Sequence, residues 1–107
     1  MPQADLFFTA DQTIAPADIL RSIEEVILSI DAGAGACKGR GHRIADFHHS
    51  HILLRLSMLP KDHRNAAFAE ELGKRLAGVL QTSTNADCAI NVHICFDLDH
   101  YASIPSR

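Results

Sequence analysis

The sequence predicts a small α/β (α+β) fold: two strand-helix units in succession, closed by a further strand, with both helices on one face of a small sheet. Stretches with the two-residue period of strands alternate with stretches that repeat every three or four residues, as helices do. Glycine, proline or short polar runs separate them. The chain has 107 residues, 47% of them hydrophobic and 21% charged. That is enough for one packed core and too little for two ordinary ones, so residues 1–107 are read as one domain.

The first strand spans Ala4 to Thr9, with Ala4, Leu6 and Phe8 on one side and Asp5, Phe7 and Thr9 on the other. Pro16 suits a first helical position, and Ile19, Leu20, Ile23, Val26, Ile27 and Ile30 form an apolar stripe behind it. Asp31-Ala32-Gly33-Ala34-Gly35 ends this helix. Cys37 to Phe47 is poor in apolar residues and rich in cations, and is read as a loop with at most an irregular strand. His51 to Leu59 alternates again, with Ile52, Leu54, Leu56 and Met58 on its apolar face, and Pro60 stops it. Asp62 is the expected N-cap of a second helix with the stripe Phe68, Leu72, Leu76, Val79 and Leu80, weakened by Gly73 and Gly78. The polar run Gln81 to Asn85 leads to a last strand. Cys88, Ile90, Val92, Ile94 and Phe96 lie on one face of it, and Asn91, His93, Cys95 and Asp97 on the other. Leu98 to Arg107 reads as a tail.

Two helices cover only one sheet face. The other would carry Phe7, His51, Leu53, Arg55, Asn91, His93 and Cys95, too apolar for free solvent and too polar for a sealed core, so either a solvated face or a symmetric homo-oligomer is expected. Net charge is −3, tryptophan is absent and aromatics are 6%. That composition argues against nucleic acid and against an anionic membrane surface as partners. No run reaches membrane-spanning length and the first residues lack a signal-peptide pattern, so a cytoplasmic location is expected. Cys37, Cys88 and Cys95 form no CxxC pair and are expected to be reduced.

His48-His49-Ser50-His51, with His93, invites a metal reading, but two alternating histidines without a cysteine pair or a carboxylate motif favour strand-end or interface roles, and no metal is assigned. The glycines from Gly33 to Gly41 end a helix instead of opening one, which excludes a nucleotide loop. Lys38, Arg40 and Arg43 give a local positive stretch suited to a small carboxylate.

Met1-Pro2 opening the first strand, Cys37-Lys38-Gly39-Arg40 after the first helix and Ser50-His51-Ile52-Leu53-Leu54 in the second apolar strand together resemble the tautomerase superfamily. Within it they are most similar to 5-carboxymethyl-2-hydroxymuconate isomerase-like proteins. Lys61 stands near another family arginine, and lysine replaces arginine at two of the matched places. The resemblance implies paired βαβ units and a homotrimer whose interfaces shape the active sites. It also implies a cofactor-independent isomerase acting on a small unsaturated keto or hydroxy acid, as in aromatic catabolism.

An N-terminal proline is a secondary amine, and burial beside cations lowers the pKa of such a group, leaving a neutral base. On this reading Pro2 is the general base once Met1 is removed, since a retained Met1 would make its nitrogen an amide. Lys38, Arg40 and Lys61 bind the carboxylates and stabilise the dienolate, and His51 is a possible accessory to proton transfer. The alternatives are a noncatalytic ferredoxin-like oligomeric binding module and a histidine-based metal-binding protein.

Overall fold

The computed structural model describes residues 1–84, 87–96 and 100–106. Its elements are β1 (Gln3–Thr9), α1 (Pro16–Ile30), a 3-10 turn (Ala32–Ala34), β2 (Lys38–Ile44), β3 (His51–Ser57), α2 (Ala66–Thr82) and β4 (Ala89–Cys95). The four strands form one sheet in the order β2-β1-β3-β4. β2 runs parallel to β1, β4 runs parallel to β3, and the central pair β1 and β3 is antiparallel. The chain is therefore two βαβ units set back to back.

Both helices lie over the same face. Ile19, Ile23 and Ile27 of α1 and Leu72, Leu76 and Leu80 of α2 are buried against Ala4, Leu6 and Phe8 of β1 and Ile52, Leu54 and Leu56 of β3, with Met58 just beyond β3. Ile90, Val92, Ile94 and Phe96 pack at the margin of this core. The period-two and period-three-to-four stripes thus meet in one apolar layer, and their burial is the main force holding the sheet to the helices.

The segment read as a loop is a regular edge strand, β2. It looked unlike a strand because its inward positions are glycines. A Cβ on Gly39 would come within 2.8 Å of Leu20 Cδ2, and one on Gly41 within 3.1 Å of Pro16 Cβ. α1 approaches β2 so closely that hydrogen is the side chain that fits, which erases the apolar alternation.

Helix α2 starts later than expected. Asn65 and not Asp62 is its N-cap, with Asn65 Oδ1 accepting from Phe68 N–H at 3.0 Å. The residues before it form a turn in which Arg64 N–H bonds to the Lys61 carbonyl at 2.9 Å. The helix also runs on through Gln81 and Thr82, taking in the start of the expected polar run. Asn85, Asp97, Leu98 and Arg107, assigned to that run, the last strand and the tail, lie outside the described residues.

Candidate active site

One end of the sheet gathers the start of β1, the start of β2, the end of β3 and the end of β4, because Gln3 pairs with both Lys38 and Ser57, and Ser57 pairs with Cys95. Pro2 stands at this end. It shares the inward phase of Ala4 and Leu6 and its side chain is fully buried. Its carbonyl accepts a 2.9 Å bond from Lys38 N–H, which extends the β1–β2 ladder to the proline.

Since Gly39 and Gly41 face α1, Lys38, Arg40 and His42 project onto the opposite, open face beside Gln3, Asp5 and Phe7. Lys38 and Lys61 are exposed, and Lys61 lies in the turn that follows β3 at the Pro2 end. Arg40 is more constrained. Its Nη1 lies 3.2 Å from Asp5 Oδ2, and its Nη2 donates to Gln3 Oε1 and to the Lys38 carbonyl at 3.2 Å.

His51 is not brought to this end. It lies at the other end of β3, six residue steps from Ser57, or about 20 Å at strand rise. There its backbone N–H donates to Thr9 Oγ1 and its Nδ1 lies 2.8 Å from the His49 carbonyl. His48 and His49 sit ring against ring with centroids 4.0 Å apart. Among the described residues no group of three histidine, cysteine or acidic side chains is arranged to hold a metal ion.

Phe7, Arg55, His93 and Cys95 lie on the open face as the sequence suggests, whereas Gln3, Asp5 and His42 were missed there. Asp5 Oδ1 lies 2.8 Å from His42 Nε2, and His42 stacks on Phe7 with ring centroids 4.5 Å apart. Burial alone would raise the Asp5 carboxyl, but hydrogen bonds from His42 and Arg40 hold it below its ordinary value. The outward phase of Asp5 and Phe7 was readable; the strand that supplies their partners was not. Further across, a shallow depression of about 200 Å³ is lined by Asp5, Phe7, Arg55, Ser57, His93 and Cys95.

Two βαβ units joined through an antiparallel central pair, with both helices on one face, form the tautomerase-like fold that the sequence resemblance implied. The chain superposes on the crystal structure of a 5-carboxymethyl-2-hydroxymuconate isomerase from Deinococcus radiodurans R1 with a TM-score of 0.76 and 16% identity, covering 99% of this chain and 90% of that one. It also superposes on a macrophage migration inhibitory factor-like protein from Entamoeba histolytica with a TM-score of 0.64 and 11% identity, covering 95% of each chain. No family model and no curated protein matches the sequence. Among the described residues no helix is long and apolar enough to cross a membrane.

Proposed function

We propose that this chain is a cofactor-independent isomerase of the tautomerase type, which moves a proton along a small unsaturated keto or hydroxy carboxylic acid, with Pro2 as the base. The observation that carries the reading is the full burial of Pro2 at the head of a central strand, hydrogen-bonded to Lys38 and at the sheet end that also bears Lys61. Removal of Met1 makes the Pro2 nitrogen a secondary amine. Burial and neighbouring cations disfavour its protonated form, so it is a base near neutral pH. The nitrogen takes the proton of a dienol hydroxyl, or of a carbon beside a carbonyl, the electron pair of that bond passes through the conjugated system, and the proton is delivered to a carbon.

Lys38 and Lys61 bind the carboxylates as point charges. Arg40 contributes less than its type suggests, because Asp5 balances part of its charge. The active unit is a homotrimer in which the open faces are covered by neighbouring copies, and its home is the cytoplasm.

The test is the intact mass of untagged protein together with its pH-rate profile on dienol acids. The proposal expects a chain starting at Pro2 and a kcat/KM that rises as one group loses its proton; a retained Met1 sinks it.

The Asp5–Arg40–His42 network favours a second reading, since it ties up charge on the open face in the manner of a structural interface. A noncatalytic oligomeric module would appear as a dimer in light scattering, and the isomerase as a trimer.

A further inference from the structure

A chain of hydrogen bonds crosses the open face at the Pro2 end. Arg40 Nη2 donates to the Gln3 side-chain carbonyl, and the Gln3 amide nitrogen donates in turn to the Tyr101 hydroxyl oxygen at 2.8 Å. Behind Arg40, its Nη1 reaches both Asp5 oxygens at 3.2 and 3.3 Å. Gln3 directly follows Pro2, while Tyr101 lies in the segment beyond β4. The fold thus returns its C-terminal segment to the residue next to the proposed base.

The direction of these bonds is informative. A cation on the Gln3 carbonyl makes the conjugated N–H a better donor, and that N–H engages the phenol oxygen. The hydroxyl is then used as an acceptor and keeps its own O–H to donate. A half-buried phenol held in this way suits an oxygen that becomes negative during a reaction.

We propose that Tyr101 is a catalytic residue of the Pro2 site, which donates its O–H to the enolate oxygen formed when Pro2 removes a proton, and that Gln3 is the positioning residue that holds the phenol there. This rests on the reading of Pro2 as the base. Tyr101 keeps its proton throughout, so the proton taken by Pro2 is the one returned to carbon and no further reactant is consumed.

The chain has one tyrosine and no tryptophan, so tyrosine emission reports on Tyr101 alone. The experiment compares untagged wild type with Pro2→Ala, Tyr101→Phe and Gln3→Leu on a dienol diacid, and follows wild-type emission during titration with adipate, a saturated diacid. Tyr101→Phe should lower kcat about 10- to 100-fold, the effect of losing a hydrogen bond to a charged group, with KM and melting temperature near wild type. Gln3→Leu should lower kcat in the same direction, and adipate should change the emission saturably.

Wild-type kcat in Tyr101→Phe, or a change in KM alone, while Pro2→Ala is impaired, overturns the Tyr101 assignment and leaves the base standing. Emission that ignores adipate at concentrations that inhibit turnover overturns it too. Full activity in Pro2→Ala with an impaired Tyr101→Phe overturns the base and retains the phenol as donor. A wild type inactive on the dienol diacid overturns both.

Discussion

Arg64 grips the Asp31 carboxylate with two nitrogens, Nη2 at 2.8 Å and Nε at 2.9 Å from Oδ2, and the two side chains are 3% and 8% exposed. Asp31 is the C-cap of α1, and Arg64 immediately precedes the N-cap of α2, so the pair ties the exit of one helix to the entry of the other. His63 adds a contact to Asp31 at 3.2 Å, and Arg64 Nη1 donates to the Leu59 carbonyl at 2.7 Å. The same clamp fixes the turn that carries Lys61.

Removing one partner leaves the other charge buried and unpaired. Asp31→Ala should therefore destabilise the fold by about 3 kcal/mol in urea unfolding. The double variant Asp31→Leu, Arg64→Met should recover much of that loss, because an apolar pair carries no desolvation cost.

The clamp also predicts acid sensitivity. Burial alone would raise the Asp31 carboxyl, but Arg64 and His63 hold it below the ordinary 3.8. A depressed folded value means that its stabilisation is fully present above 3.8 and is lost as pH falls through the lower folded value. The stability gap between wild type and Asp31→Asn, measured by urea unfolding, should close as the pH drops below that point. A gap that stays constant into acid would contradict the pairing.

The glycines separate into two kinds. Gly39 sits under α1, where a Cβ would meet Leu20 Cδ2 at 2.8 Å and Cγ at 3.3 Å, so Gly39→Ala should cost about 1–3 kcal/mol. Gly78 lies in α2 with nothing within 4 Å of a Cβ, so Gly78→Ala should stabilise by about 0.5–1 kcal/mol. Thermal melts of the two variants should move in opposite directions.

Cys37 should be chemically quiet. Burial first, and then the Glu24 carboxylate, push its thiol from 9.0 to about 11, which leaves about 100-fold less thiolate at neutral pH. Peptide mapping after alkylation should find Cys37 modified far more slowly in the folded protein than in urea, and equal rates would refute its burial.

The elements with strong periodicity were legible in the sequence. α1 begins at Pro16, and the inward faces of β1, β3 and β4 carry the residues assigned to them. β2 was not legible, because a strand whose inward positions are Gly39 and Gly41 has no apolar alternation to read. That one omission hid the partners of Asp5, Gln3 and Phe7, and with them the polar network of the open face. The start of α2 was misplaced because Asp62 and Asn65 are both good caps, and only the turn closed by Arg64 on Lys61 selects the second. The grip of Arg64 on Asp31 joins residues 33 apart in sequence and leaves no local signal.

Whether the Pro2 nitrogen removes the proton is read from kcat/KM for isomerisation of a dienol diacid by untagged Pro2→Ala beside wild type. Exchange of the buried secondary amine for the primary amine of alanine predicts a fall of about 10²-fold in a variant that still folds. Undiminished kcat/KM in Pro2→Ala would rule out a catalytic role for the proline amine.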